Sequence, residues 1–459
     1  MKGKQRTNQA TMTEGVIWKQ FLAFSIPLLV GNLFQQLYNT VDSVVVGNFV
    51  GSDALAAVGS SNSLINLIIG MSMGIGTGAG VIISQYYGAK EDEKLHWAVH
   101  TSIALSLIGG VILTVIGVLM SPLLLRWMGT PEEVMPNSVA FLRIFFWGSV
   151  FNLVYNMGAG ILRAVGDSKR PLYYLCVSSV VNIVLDLLFV VGFGMGTAGA
   201  GFATVIAQAV SSLLVLSALV RTRESYRLIL SRIRIDKRMM GRILNMGIPS
   251  GIQQSIISLS NVIVQANVNS YGPAAMAGFG AYSKIDGFAM LPLQSFCMAS
   301  TTFTGQNIGA RKSRRIKQGI FQGIVISLIY TLLISVFLYL NSGRILRIFS
   351  PEEEVIAYGY STMLILLPFY WSISIHQILM GSIRGSGRTV VSMLIGVGNM
   401  CILRMIYINL LVPFFPSFEA VMWCYPITWV TTMIMDCIYS LKAKWIPKET
   451  NEQIGDKKL

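Results

Sequence analysis

The chain has 459 residues, of which 53% are hydrophobic and only 12% are charged, and its mean hydropathy is +0.61. Soluble domains carry about 25% charged residues, so this composition excludes an ordinary water-soluble protein. The net charge of +14 would by itself suit a nucleic-acid binder. The Lys and Arg residues concentrate in alternate loops between apolar runs, however, which is the positive-inside pattern of a membrane protein and predicts no nucleic-acid partner.

Apolar runs long enough to cross a bilayer, which takes about 20 residues, recur along the whole chain. We count about twelve by this length rule. In chain order the predicted spans are 21–49, 54–87, 98–120, 138–162, 171–193, 200–220, 243–270, 275–303, 319–340, 357–382, 389–412 and 420–440. The chain is therefore predicted to be an all-α integral membrane protein.

Short motifs from the first half return in the second half in the same order. The pairs are VGSDALAAVG at 50–59 with YGPAAMAGFG at 271–280, SQYYGA at 84–89 with GQNIGA at 305–310, and ILRAVG at 161–166 with SIRGSG at 382–387. An even number of spans in each half gives both halves the same orientation. We therefore predict two six-helix lobes related by a pseudo-two-fold axis along the membrane normal, which is typical of a secondary transporter.

The same pattern predicts how the chain is divided. The predicted segments are a cytoplasmic N-terminal segment at 1–20, an N-lobe at 21–220, a basic cytoplasmic linker at 221–242, a C-lobe at 243–440 and a cytoplasmic tail at 441–459. Both termini are placed in the cytoplasm because the basic loops lie on that side. We expect a monomer in the cytoplasmic membrane, surrounded by lipid and without a cofactor.

Some local signals predict how the helices begin, bend and pack. Glycines at a spacing of four in the second span predict a close approach to another helix. Pro27 and Pro249 each remove a backbone hydrogen bond and predict bends in the first and seventh spans. The sequences TPEE at 130–133 and SPEE at 350–353 resemble helix N-termini with a capping hydroxyl and Pro at the first helical position.

Four polar residues of the N-terminal half are candidates for binding a coupling cation: Asp42, Asn182, Asp186 and Thr204. Ionisable groups inside a membrane are costly and commonly mark ion pathways. Asn182 and Asp186 are four residues apart and share a helix face. Their oxygens suit a hard cation such as Na⁺, and two carboxylates removed from water suit a proton. The alternative is that these groups only form hydrogen bonds between helices.

A second set of residues is predicted to line a substrate cavity. Its members are Gln35, Tyr38, Asn152, Asn156, Met157, Lys284, Asp286, Met290 and His376. Met and aromatic residues adapt to many apolar cations through flexible packing and cation–π contact, although in a span they more often belong to the core. His376 titrates in a useful range, but an isolated His within a span is more often a hydrogen-bonded packing group. The C-terminal half does not repeat the acidic pattern of the first half.

These motifs resemble those of the multidrug and toxic compound extrusion family from about Pro27 to the twelfth span. The resemblance rests on IPLLVGNLFQQLYNTVDSVVVGNFVG, LAAVG, SQYYGA with GQNIGA, LRAVGD with IRGSGR, and the Asn-x-x-x-Asp of Asn182 and Asp186. The last motif, with Asp42, looks like the branch that contains the DNA-damage-inducible protein F type. Spans seven and ten carry Gln253, Gln254 and His376 in place of the acids of another branch.

The resemblance implies twelve helices in two lobes, alternating access, and export of cationic or amphipathic drugs in exchange for H⁺ or Na⁺. By position, Asp42, Asn182, Asp186 and Thr204 match the cation site that the family carries in its N-lobe. An alternative is a flippase for lipid or lipid-linked oligosaccharide, which would need several cations in its cavity. An enzyme is not expected, because the chain has no HExxH or Walker A motif.

Overall fold

The computed structural model describes residues 11–49 and 52–447, with side chains described outside 38–64, 66 and 67. Within these ranges the regular structure is entirely helical. Each of the predicted spans coincides with one long helix or with one broken helix, so the all-α membrane fold is confirmed.

The first half of the chain forms seven α-helices that make six spans, because the fourth span is broken into α4 and α5. The helices are α1 Ile17–Phe49, α2 Ser52–Ala89, α3 Asp92–Trp127, α4 Met135–Trp147, α5 Ser149–Ala164, α6 Lys169–Asp186 and α7 Gly196–Arg221. A π-helical segment, Leu187–Gly192, continues α6. The bend between α4 and α5 is 47°.

The second half contains nine further α-helices, several of them short. They are α8 Lys237–Asn269, α9 Pro273–Gly309, α10 Ser313–Phe349, α11 Glu353–Leu366, α12 Tyr370–Gly385, α13 Thr389–Val397, α14 Arg404–Ile406, α15 Phe418–Met422 and α16 Cys424–Lys442. A 3₁₀ turn, Leu367–Phe369, separates α11 from α12, and Pro368 accounts for it because proline cannot donate the next helical hydrogen bond. Two π-helical segments, Gly398–Leu403 and Tyr407–Leu411, flank α14.

The outer surface suits contact with lipid tails. Leu119 on α3 and Leu340 on α10 are 72% and 73% exposed, and they lie among other exposed aliphatic side chains. Among the described residues, nine helices are long and apolar enough to cross a membrane, and the bent pair of α4 and α5 makes a tenth. The long helices α8 and α9 fall below that limit because Gln, Asn, Ser and charged side chains dilute their apolar sequence.

The predicted helix starts at TPEE and SPEE are wrong in detail. Helix α4 begins only at Met135, because residues 131–134 form a turn in which the Val134 N–H donates to Pro131 O. The hydroxyl of Thr130 has no hydrogen-bond partner. Ser350 Oγ accepts a hydrogen bond from Glu352 N–H at 3.2 Å, and α11 begins one residue later. TPEE lies wholly before its helix, and SPEE overlaps α11 only at its last residue, Glu353.

Glycines bring α2 into backbone contact with two other helices, as the spacing of four predicts. A methyl group on Gly74 would overlap the backbone of Gly251, and one on Gly78 would overlap Gly247. On the next face of α2, a methyl group at Gly160 of α5 would lie 3.0 Å from Gly76 O. The prediction of close approach is confirmed, since no larger residue fits at these crossings.

Two compact units divide the chain, and the division does not fall in the central linker. The N-terminal unit contains residues 27–251, and the C-terminal unit contains residues 11–26 and 252–447. Helix α1 changes unit at Pro27, and α8 changes unit just after Gly251. Each half therefore contributes the first turns of its first helix to the other unit.

Hydrogen bonds hold each exchanged segment beside the repeated motif of the opposite half. In the C-terminal unit, Met12 N–H donates to Gln306 Oε1 at 2.9 Å, and Asn307 Nδ2 donates to Met12 O at 3.1 Å. Both partners belong to GQNIGA. In the N-terminal unit, Arg242 donates to the hydroxyl of Tyr86 in SQYYGA. The duplicated motif thus has a structural role at the ends of α2 and α9.

Replacing Arg315 by Ala should release the segment before α1. Its guanidinium donates to Met12 O at 3.2 Å, Glu14 O at 3.0 Å, Gly15 O at 2.8 Å and Gln20 Oε1 at 2.8 Å. Losing these charge-assisted bonds should cost about 1 to 3 kcal/mol of local stability. We expect faster hydrogen exchange in residues 12–20. Lys317→Ala, on the exposed side of the same helix turn, is the control, and equal exchange in both variants would contradict the prediction.

Candidate functional site

A polar cavity lies inside the N-terminal unit, between α1, α2, α5, α6 and α7. Its lining includes polar side chains from all of these helices except α2, which contributes apolar residues. The polar and charged lining residues are Asn32, Gln35, Asn152, Tyr155, Asn156, Arg163, Ser168, Ser178, Ser179, Asn182, Thr204, Gln208 and Ser211. Polar groups in such number within the spans of a membrane protein indicate a site that handles a polar or charged ligand.

One face of α6 carries the predicted ligands. Ser178, Asn182 and Asp186 follow one another at a spacing of four and are all buried, whereas Val180 and Val184 on the opposite face are exposed. Ser178 Oγ donates to Ala207 O on α7 at 2.7 Å, which fixes this face against α7. The helical period thus places the amide and the carboxylate inside the unit.

Asn182 is the most informative residue of this face. It is only 1% exposed, yet neither its Oδ1 nor its Nδ2 has a hydrogen-bond partner within the described structure. An unsatisfied buried amide costs about 1 to 3 kcal/mol. Natural proteins satisfy nearly all such groups, so an exception calls for a functional explanation.

Asp186 is the last residue of α6 and is fully buried. The chain changes directly after it to the wider π-helical segment Leu187–Gly192. Irregular helix of this kind occurs often at functional sites. A carboxylate buried within a span is costly as a lone ion, and a bound cation or a proton offsets that cost.

Helix α7 supplies the opposite wall of the cavity. Thr204 and Gln208 are four residues apart, and both line the cavity with Asn182. Gln208 Oε1 is buried without a hydrogen-bond partner in the described structure. Hydroxyl, amide and carboxylate oxygens are the ligands that hard cations prefer, so the group suits Na⁺ as well as H⁺.

The structure brings most of the predicted N-terminal residues together. Gln35, Asn152 and Asn156 line the same cavity as Asn182 and Thr204. Asn156 Nδ2 donates to Asn152 O at 2.9 Å and to Asn152 Oδ1 at 3.0 Å, which orients both amides.

One predicted N-terminal residue, Met157, lies apart from this group. Met157 is 4% exposed and packs in an apolar cluster with Ile161 and Val215, so the structure places it in the core. The side chains of Tyr38 and Asp42 lie outside the described residues.

The remaining candidates belong to the C-terminal unit. Lys284 is exposed, with its ammonium 6.0 Å from the ring centre of Phe349. Asp286 Oδ1 accepts hydrogen bonds from the Tyr370 hydroxyl at 2.5 Å and the Tyr282 hydroxyl at 3.1 Å. Met290 is partly buried.

His376 also lies in the C-terminal unit and does not stand alone. It is 3% exposed and contacts Asp436 on α16, with Nδ1 2.5 Å from Oδ2. The sequence does not reveal this contact, since the two residues are 60 positions apart.

Sequence reasoning missed several residues of the cavity. Arg163 lines it, and its Nε is buried without a hydrogen-bond partner in the described structure. In the sequence Arg163 belongs to the repeated motif ILRAVG, which does not indicate that it lines a cavity. The spacing of four between Thr204 and Gln208 was a signal available in the sequence. Among the described residues, no group of three or more His, Cys, Asp or Glu side chains could hold a metal ion.

Comparisons with known proteins agree with this architecture. The MatE family model matches residues 27–188 and 249–410. The chain is 34% identical over 382 residues to "Probable multidrug resistance protein YoeA" of Bacillus subtilis (strain 168), covering 82% of each chain. It is 29% identical over 394 residues to "Probable multidrug resistance protein YpnP" of the same organism, covering 85% of this chain and 88% of the relative.

A solved structure also resembles the chain closely. It is described as "Outward-facing conformation of a multidrug resistance MATE family transporter of the MOP superfamily". Its TM-score is 0.89 at 24% identity, and the match covers 95% of this chain and 98% of that one. The two family matches coincide with the two halves found from the internal repeat. This chain belongs to the MatE family of multi-pass membrane transporters.

Proposed function

We propose that the protein is a secondary active antiporter that exports cationic or amphipathic compounds in exchange for H⁺ or Na⁺. The observation that carries this proposal is the buried amide of Asn182, unsatisfied and one turn from the buried Asp186, beside a polar cavity. Asn182, Asp186 and Thr204, with Asp42 on α1, are proposed to bind the coupling ion. The names of the relatives support the multidrug part of the proposal.

The proposed cycle depends on competition for negative charge. A cation that reaches Asp186 neutralises the carboxylate and satisfies the Asn182 oxygen. A ligand shifts a conformational equilibrium only as far as it binds one state more tightly than the other. A coupling ion bound by α6 and α7 in one state, and released in the other, would provide that difference. A cationic drug would then drive release of the ion.

The same proposal extends to topology and environment. Both termini are placed in the cytoplasm by the basic loops, and the chain is proposed to act as a monomer in the cytoplasmic membrane. Its partners would be small cationic or amphipathic molecules and the surrounding lipid.

The flippase alternative has less support. It requires several cations around one head group, and the candidates are Arg143, Lys284 and Arg404. Arg143 belongs to the N-terminal unit and donates to Val118 O at 3.2 Å. Lys284 and Arg404 belong to the C-terminal unit, and Arg404 is buried with its Nη1 2.8 Å from Asn261 Oδ1. The three cations are therefore divided between the two units.

The direct test is transport by the purified full chain in proteoliposomes. Ethidium export would be followed by fluorescence under an imposed pH gradient, an imposed Na⁺ gradient, or neither. We expect export to follow one of the two gradients and to stop when that gradient is dissipated. The antiport proposal would be rejected if export did not depend on either gradient. It would also be rejected if the folded protein exported no cationic dye.

Replacing Asn182 by Leu should raise the stability of the protein and abolish its gradient-driven export. Leu has a similar volume and leaves no unsatisfied polar atom, so the free energy of unfolding should rise by about 1 kcal/mol or more. Gradient-driven export should fall to background because an ion ligand is lost. Thermal unfolding and vesicle transport measure the two effects. A variant that is less stable than the wild type would show that Asn182 is a structural amide.

Asn156→Leu is the matched control for the stability effect. Its amide is hydrogen-bonded to Asn152 in the same cavity. The substitution should therefore leave the stability unchanged or lower it. A gain of stability in both variants would show that any added apolar volume stabilises this cavity.

A further inference from the structure

The C-terminal unit contains a buried ionisable pair that the proposed function does not use. His376 Nδ1 lies 2.5 Å from Asp436 Oδ2, and the two side chains are only 4% and 1% exposed. The pair joins α12 to α16, both of which are membrane spans. Ionisable groups at such positions are costly and usually have a functional role.

The pair is not saturated with hydrogen bonds. Asp436 Oδ1 is buried and has no hydrogen-bond partner among the described side chains and backbone. The only hydrogen bond that the described structure gives to the His376 ring is the one at Nδ1. When Nδ1–H donates to Asp436, Nε2 keeps a lone pair that can accept a proton. A pair retained only for packing would be expected to satisfy both carboxylate oxygens.

Charges near the pair give protonation of His376 an electrostatic consequence. Arg384, two turns further along α12, interacts electrostatically with Asp436, and its Nη2 donates to Gln253 Oε1 at 2.6 Å. While the imidazole of His376 is neutral, the positive charge of Arg384 and the negative charge of Asp436 cancel. Protonation of His376 then gives the cluster a net positive charge, which a low-dielectric interior makes energetically significant.

The helices packed around the pair add few other titratable groups. From α9, Cys297 lies within electrostatic range of Asp436, and from α16 Cys437 does so. Asp286, also on α9, accepts hydrogen bonds from the hydroxyls of Tyr282 and Tyr370.

The other neighbouring helices present uncharged groups. Helix α10 presents Ser327 to Ser374 on α12, with their hydroxyls 3.3 Å apart. Ser392 of α13 uses its carbonyl oxygen to accept from Gln253. Asn399, in the segment Gly398–Leu403, donates to Met435 Sδ at 3.0 Å.

We propose that His376 and Asp436 form a proton-binding site in the C-terminal unit that is loaded and unloaded during each transport cycle. A proton from water adds to the Nε2 lone pair, and the same proton later returns to water, so no other bond is made or broken. The change of net charge alters the attraction between α12 and α16. The proton site itself is independent of the proposed function, but its role in coupling rests on it.

The first test observes the imidazole directly. The chain has three His residues, so ¹⁵N-histidine spectra of the full chain in nanodiscs are simple, and His376→Gln identifies the ring of interest. We expect the spectra to show that this ring binds and releases a proton when the pH is varied. Asp436→Asn should change the spectrum of that ring, because Nδ1 then faces an amide and no longer a carboxylate. A ring that stays in one form throughout would overturn the proposal.

The second test examines coupling. His376→Gln keeps a side-chain donor for Asp436 but cannot bind the extra proton. In proteoliposomes it should lose export driven by a pH gradient, while exchange of dye for dye without a gradient should continue. His96→Gln, a substitution in the N-terminal unit, is the control and should behave as the wild type. Unchanged gradient-driven export by His376→Gln would overturn the coupling role.

The two tests separate this proposal from the proposed function. If no cationic compound is transported but the His376 ring still titrates, the proton site is supported and multidrug antiport is rejected. If export follows the proton gradient while the ring never changes form, antiport is supported and the site at His376 and Asp436 is rejected.

Discussion

Asp186→Asn should reduce gradient-driven export to the level of vesicles without protein. Asn has nearly the same shape as Asp, so the packing of α6 against α7 should persist. It cannot carry the negative charge for which the coupling ion and a cationic substrate are proposed to compete. A ligand that binds two conformational states equally well cannot shift the protein from one state to the other. The variant should therefore bind dye but not transport it against the dye gradient. Ethidium export and equilibrium dye binding measure the two properties.

Asp167→Asn is the matched control for that experiment. Asp167 lies just before the same helix, where its Oδ1 accepts from the N–H groups of Lys169 and Arg170 at 3.1 Å each. An Asn side chain can keep these capping contacts. We expect near wild-type export, so a loss in both variants would point to damage to α6. Full export by Asp186→Asn would remove the proposed ion site.

Gly78→Val should have the largest effect on folding. A Cβ atom at Gly78 would overlap the backbone of Gly247, and backbone atoms cannot rotate away as side chains can. Overpacking of a close contact costs typically 1 to 3 kcal/mol, and here we expect about 3 kcal/mol or more. The variant should therefore be poorly folded or unfold at a clearly lower temperature. Fluorescence-detected size-exclusion chromatography after heating measures this loss.

Gly241→Ala provides the comparison for that loss. Gly241 lies on the same helix as Gly247, but a methyl group there would meet no atom within 4 Å. Ala also favours helix over Gly by about 1 kcal/mol. We expect the stability of this variant to equal or exceed that of the wild type. Equal stability of Gly78→Val and the wild type would show that the crossing of α2 and α8 is looser than the structure indicates.

Several features of the site were predictable because they depend on local sequence. Asn182 and Asp186 share a face of α6 because four residues make about one helical turn. The low charge and the long apolar runs required a membrane environment, and the repeated motifs required two similar halves. Each of these inferences needs only composition, periodicity or comparison of the chain with itself.

The tertiary structure decided which distant residues meet. The first turns of α1 and α8 belong to the opposite units, although the linker at 221–242 seemed the natural boundary between lobes. The break between α4 and α5 and the π-helical segment after Asp186 also escaped the sequence, because hydropathy follows burial in lipid and not backbone hydrogen bonding.

The sequence by itself determined the class of protein, the number of spans and the polar face of α6. These follow from the hydrophobic effect and helical geometry, which act over a few residues. Only the tertiary structure shows that Arg163 and Gln208 line the cavity and that Met157 packs in the core. It also shows that His376 contacts Asp436. Such contacts depend on how helices rotate and pack against one another, and that arrangement is set by the whole bundle.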